Sequence, residues 1–198
     1  MKKELAYFNI EGEYGGNQNW FYDPMMRLGG CAAIATCDLC IYLNLYRENK
    51  HLYPFNIDSL QKKDYIKFSK IMKKYLHPRV KGINTLQLYI DGFSSYLYDI
   101  NDEEIKMEPF SGENSVYDGE KIVVSQIEKE IPIPFLLLKH KNKKLNELVW
   151  HWFLIVGYEK TEDDLLVKIA TYGKYNWISF KNLWDTGYDE KGGMIIIT

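Results

Sequence analysis

Apolar and polar positions follow two rhythms along this chain, helical over its first two thirds and strand-like over the last. From Cys31 to Tyr46 almost every position is apolar, interrupted only by Thr36, Asp38 and Asn44, and a helix apolar on all faces is a buried one. Residues 47–57 turn polar and contain Pro54, which ends that helix. Asp58-Ser59-Leu60-Gln61 resembles a capping box ahead of Tyr65, Phe68, Met72 and Tyr75/Leu76 at helical spacing, with lysines between them, and predicts an amphipathic surface helix. Asn84-Thr85-Leu86-Gln87 repeats the cap pattern, with Leu86, Ile90, Phe93 and Leu97 on one face of a third helix. After an acidic stretch at 101–108 and a Ser/Gly/Asn turn at 111–115, Asp118 reads as the cap of a fourth helix to about Glu130, bearing Val123 and Ile127.

The segments 133–138, 149–158, 165–170, 175–180 and 194–197 are short, β-branched or aromatic, and separated by charged or glycine turns, which reads as strands. Helices first and hairpin-length strands afterwards predict an α+β fold in which the central buried helix headed by Cys31 packs on a C-terminal antiparallel sheet. Residues 1–30 are rich in Gly and Asn yet carry Trp20, Phe21, Tyr22, Met25 and Met26, so they read as an ordered loop packed on the body, such as a cleft wall. The expected organisation is one domain over 1–198: loop-rich to 30, mainly helical over 31–130, mainly strands over 131–198.

Composition supports a globular chain, 46% hydrophobic against 26% charged. A net charge of −2 gives no electrostatic reason to expect nucleic acid or an anionic membrane surface as partner. No apolar run follows Lys2-Lys3, and none approaches the ~18 residues of a membrane span. Three cysteines clustered between 31 and 40 are no disulfide framework, which fits a reducing cytoplasm.

Cys31 follows Gly29-Gly30 at the head of the buried helix, where unpaired backbone N–H groups and the helix dipole favour thiolate over thiol. His151 opens the apolar strand that runs on to Tyr158 and can take that thiol's proton, giving an ion pair at neutral pH. Cys37-x-x-Cys40 falls inside the helix with no second ligand pair, and reads as core rather than zinc or redox chemistry. Asp38, in the same helix, requires a partner, either a backbone donor of the 15–30 loop, such as those near Arg27, or Arg27 itself. The basic run at 139–144 reads as a solvated hairpin tip, and His51 and His77 as helix-end cations.

The order of these pieces resembles the papain-like cysteine peptidase superfamily, in particular its compact bacterial branch that includes the double-glycine leader peptidases. The resemblance rests on a loop amide before the cysteine (Gln18), the run Gly-Gly-Cys31-Ala-Ala-Ile-Ala, the proline-flanked 132–138 segment, the strand His-Trp-Phe-Leu-Ile-Val-Gly-Tyr, and the ending Ile178-Ser-Phe-Lys-Asn-Leu-Trp184. It implies Cys31 as nucleophile, His151 as base and then acid, and an oxyanion hole from the Cys31 N–H and the Gln18 amide, with Asn17 or Asn19 as alternatives to Gln18. Ala170 stands where such enzymes place the Asn or Asp that orients the imidazole, which leaves that role to Thr171, to Asn176 or to no residue. The implied activity is thiol hydrolysis or acyl transfer at a peptide, amide or thioester carbonyl, with no metal or organic cofactor. A catalytically silent relative that binds a peptide or protein is the alternative.

Overall fold

The computed structural model describes residues 1–47, 51–79 and 82–198. Among these residues six α-helices pack with a seven-stranded antiparallel sheet, so the α+β class follows from the local patterns. The helices are α1 (Pro24–Gly29), α2 (Cys31–Tyr46), α3 (Lys62–Met72), α4 (Leu86–Asp99), α5 (Val116–Glu128) and α6 (Phe180–Trp184). In chain order the strands are β1 (Lys2–Glu4), the small hairpin β2 (Asn9–Ile10) and β3 (Glu13–Tyr14), β4 (Met107–Ser111), β5 (Ile133–Leu137), β6 (His151–Lys160), β7 (Leu165–Thr171), β8 (Lys174–Ser179) and β9 (Gly193–Ile197).

The sheet runs β4-β9-β5-β6-β7-β8, with β1 added to β6. One edge of β6 is shared: β5 pairs with its first half, Leu137 opposite His151, and β1 with its second, Glu4 opposite Gly157. The other edge carries β7 from Leu154 to Lys160. Both edges taken and both faces covered explain why β6 is buried from His151 to Tyr158, which the uninterrupted apolar run required. Successive side chains of a strand point to opposite faces. Trp152 accordingly stacks on Tyr89 of α4, while Phe153 stacks on Phe135, itself packed on Trp184 of α6. Helix α2 lies against β6 and is buried from Cys31 to Asn44.

Several boundaries differ from expectation. Residues 1–30 hold three short strands and α1, and β1 completes the main sheet; strands of two or three residues are too short to show an alternation. Residues 31–130 include β4, the sheet's edge, concealed by its charged neighbours and by Pro109, which an edge strand tolerates. Helix α3 begins at Lys62 rather than in a capping box at Asp58, and Gln61 at its N-cap makes no side-chain cap bond. Ser115, not Asp118, caps α5; its hydroxyl accepts from the Asp118 N–H and donates to the Asp118 carboxylate. Thr85 does cap α4, accepting from Leu88 N–H, but the buried face is Tyr89, Phe93, Tyr96 and Leu97, with Leu86 and Ile90 only partly covered. Among the described residues no helix is long and apolar enough to cross a membrane.

The N-terminal segment is fastened to the body at Gly16, whose N–H donates to both oxygens of Asp38 at 3.0 and 3.1 Å. A Cβ there would meet the Tyr65 hydroxyl at 1.9 Å. Gly16→Ala is therefore expected to destabilise the fold by about 1–3 kcal/mol, lowering the melting temperature by several degrees. An unchanged thermal midpoint would contradict this packing.

Candidate functional site

Cys31 is the first residue of α2, one step after the joint at Gly30. Neither glycine of the Gly-Gly pair has a positive φ; Gly29 closes α1, and Gly30 is glycine because a Cβ would lie 2.5 Å from the Met26 carbonyl oxygen. The pair is thus a tight helix-to-helix corner rather than a flexible hinge. The thiol is only 7% exposed, yet it borders two spaces. In front is an open cleft of about 730 Å³ that includes Met25, Leu28, Ile83, Leu138 and Trp150. Behind is a much smaller closed space, where Cys31 shares the lining with Gln18, His151, Thr171, Tyr172, Asp38 and Gly16.

The four residues expected from the sequence, Cys31, His151, Gln18 and Thr171, therefore meet around one small cavity. His151 starts β6 directly after Trp150, which takes a left-handed φ of 56° with its N–H on the Leu138 carbonyl at 2.9 Å. Its Nε2 lies 2.7 Å from Thr171 Oγ1 at the end of β7. Its Nδ1 lies 3.3 Å from the Tyr172 hydroxyl, and the two rings stack at 4.5 Å and 6°. Ala170 lines the same cavity but offers only a methyl group; Thr171, one residue on, supplies the hydrogen-bonding oxygen. Asn176 sits opposite Ile169 on β8 and is exposed, so it does not reach the imidazole.

Tyr172 was not singled out by sequence. It and Gly173 form the two-residue turn between Thr171 and Lys174, with φ of 53° and 71°. Two left-handed residues suit a hairpin, but a bulky side chain at such a φ is strained, and strain of this kind gathers at functional sites. The turn is pinned to the N-terminal loop, since Gly173 N–H donates to Gly16 O and Tyr14 N–H donates to Gly173 O. That docking brings Gln18 to the cavity.

Gln18 opens a single 3₁₀ turn, Gln18–Trp20, capped by Asn17, whose Oδ1 accepts from Asn19 N–H. Asn17 Nδ2 is engaged by Glu13, and neither Asn17 nor Asn19 lines the cavity. One N–H of the Gln18 amide is taken by the Arg27 carbonyl at 2.8 Å, which leaves one N–H for a developing oxyanion. Its buried Oε1 has no partner. The long interval between Gln18 and Cys31 is filled by α1, folded back so that Arg27 meets Gln18.

Electrostatics corrects the thiolate expectation. Burial pushes the Cys31 thiol up, and the neighbouring N–H groups of Trp152, Ala32 and Cys31 itself pull it down without outweighing burial. Burial also lowers His151 to about 4. No hydrogen bond joins thiol and imidazole, so the resting pair is neutral rather than an ion pair; a helix N-terminus offers its dipole only against the cost of desolvation. Of the two partners expected for Asp38, the backbone donor of the 15–30 loop is the one found, as the Gly16 N–H; the carboxylate also accepts from Tyr65 at 2.6 Å and Tyr7 at 3.0 Å, and not from Arg27. Burial raises its carboxyl to about 6 against those three hydrogen bonds.

Cys37 and Cys40 are buried free thiols in the core, and among the described residues no three His, Cys, Asp or Glu side chains converge to hold a metal ion. The basic run is an ordered connection: Lys139 pairs with Glu190 at 2.6 Å, His140 Nε2 contacts the Asn182 carbonyl, and Lys143–Leu148 forms a 3₁₀ helix. No family model matches the chain, and no curated protein or solved structure shows significant similarity to it.

Proposed function

We propose that this chain is a papain-like cysteine hydrolase or acyl transferase of reducing, cytoplasmic surroundings, acting on an amide or thioester carbonyl of a peptide or small substrate. The observation that carries this reading is the position of Cys31, between an open cleft and a cavity that gathers His151, Thr171 and Gln18. In that geometry the thiol attacks a carbonyl presented from the cleft. With Nε2–H given to Thr171, Nδ1 is the basic nitrogen and takes the thiol proton as the S–C bond forms. Because both groups rest neutral, proton transfer accompanies attack instead of preceding it. The Cys31 backbone N–H and the remaining Gln18 N–H face the oxygen that becomes negative. Collapse breaks the bond to the amine or thiol, which leaves with the proton from His151; water or a second nucleophile then releases the acyl group from Cys31.

The neutral, unbonded thiol and imidazole favour a second reading, a silent relative that retains the cleft to bind a peptide or protein. Intact mass measurement separates the two. Incubation with a small acyl thioester at pH 7.5 is expected to leave a transient acyl adduct on Cys31, absent in Cys31→Ala. Substoichiometric iodoacetamide is expected to label Cys31 at least tenfold before Cys37 and Cys40. No adduct together with equal labelling of the three thiols refutes the enzyme.

A further inference from the structure

Resting on the thiol-acylation reading, we propose that the acyl half of the substrate is a bulky apolar group bearing a carboxylate, seated in the cleft in front of Cys31 with its acid on Arg79. Tyrosines aside, the exposed large apolar side chains among the described residues are Met1, Met25, Leu28 and Trp150, and all but Met1 lie there. Leu28 is 86% exposed, Met25 46% and Trp150 45%, and all three line this one cleft beside the nucleophile. Contiguous exposed apolar surface marks a binding site. The walls behind it are fixed: Leu136 and Leu138 are buried at the end of β5, and Ile83 is held by its carbonyl accepting from the Trp152 indole at 2.6 Å. An acyl group as small as glycine would leave this surface wet, whereas an extended alkyl or aromatic group would cover it at a gain of about 25 cal/mol per Å².

Charge supplies the second half of the argument. Among the described residues the charged side chains that line the cleft are Arg79, Lys139 and Glu190. Lys139 is neutralised by Glu190 at 2.6 Å and lies 5.9 Å from the Trp150 ring centre. Among the described residues Arg79 has no carboxylate partner, so the charged side chains described at the cleft sum to one net positive charge. Its backbone lies against Gly29, two residues before the nucleophile, since a Cβ on Gly29 would stand 3.4 Å from Pro78 and 4.0 Å from the Arg79 carbonyl oxygen. A guanidinium beside an apolar wall recognises a carboxylate by paired N–H donors.

The test uses Cys31 as its own reporter, with iodoacetamide, N-hexyl iodoacetamide and N-(5-carboxypentyl) iodoacetamide applied to the full chain and the rate read at Cys31 by peptide mass spectrometry. The hexyl reagent is expected to react at least tenfold faster than iodoacetamide, and Leu28→Ser, a change at an exposed position, to remove most of that gain. The carboxypentyl reagent is expected to match or exceed the hexyl one and to lose at least tenfold in Arg79→Gln, while the hexyl rate stays within twofold. Equal rates for the three reagents, or a carboxylate that slows the reaction in the parent protein, overturns the proposal while leaving a reactive Cys31 intact. Silence of Cys31 toward every reagent instead overturns the thiol reading, and this inference with it.

Discussion

Thr171→Val is expected to lower the rate of acyl-Cys31 formation by a factor of about 10² to 10³, with kcat falling and KM nearly unchanged. Valine preserves the shape of threonine and suits a strand, so β7 and its pairing to β8 are retained, and only the oxygen 2.7 Å from His151 Nε2 is lost. His151 is 5% exposed, so bulk solvent has little access to take over that contact. Its remaining polar neighbour is the Tyr172 hydroxyl, 3.3 Å from Nδ1, so without the Thr171 oxygen the ring is held by one longer contact and Nε2 has no partner to fix the imidazole plane or to stabilise the imidazolium formed when Nδ1 takes the thiol proton. Losing the orienting group of a serine triad costs about 10⁴, and a cysteine is less dependent because it ionises more easily; burial of Cys31 removes part of that advantage here. Thr171→Ser is expected to stay within tenfold of the parent. Tyr172→Phe, which preserves the stacked ring and removes a longer contact, should cost less than tenfold. An unchanged rate in Thr171→Val would show that His151 is not held through this oxygen.

The part of this arrangement legible in the sequence is the part set by local pattern. A run apolar on every face gave α2 its full extent, and the double-sided apolar run gave β6. Cys31 and His151 could be named because each stands at the head of such an element. What was not legible depends on contacts between distant segments. The thiol's ionisation follows from how deeply β6 and the 13–18 loop cover the helix head, and no property of the Gly-Gly-Cys stretch reports that burial. Asp38 illustrates the same limit: its need for partners is readable from an apolar helix, but Tyr7, Gly16 and Tyr65 are brought to it by three separate segments. Tyr172 escaped notice because a tyrosine before a glycine reads as a turn, and its proximity to His151 depends on the register of β6 against β7.

Asp38 and His151, which line the same small cavity, lead to the second expectation: their contributions to stability offset one another between pH 4 and 6, and single substitutions expose each. In the fold Asp38 holds its proton up to about pH 6, against 3.8 for an ordinary aspartate, so its burial costs stability progressively as pH rises across that interval, by about 3 kcal/mol in all. His151 works in the other direction. The unfolded chain takes up a proton below pH 6.5 and the fold only near 4, so stability is lost as pH falls, again by about 3 kcal/mol. Between pH 4 and 6 the fold holds one proton more than the unfolded chain at Asp38 and one fewer at His151, and the two slopes cancel. Asp38→Asn retains an acceptor for Gly16 and Tyr65 but cannot ionise. Relative to the parent, its urea midpoint should therefore improve on going from pH 4 to pH 7 by the equivalent of about 3 kcal/mol, and His151→Gln should show the opposite trend. Asp38→Ala removes the acceptor altogether, leaving the buried Gly16 N–H unpaired and the Tyr65 hydroxyl with only the Ile34 carbonyl, and is expected to cost about 3–5 kcal/mol at pH 4, a cost that shrinks toward pH 7 because alanine, like asparagine, cannot ionise. Parallel pH profiles for Asp38→Asn, His151→Gln and the parent would mean that these two side chains reach solvent in the folded protein, and the closed cavity behind Cys31 would then have to be open.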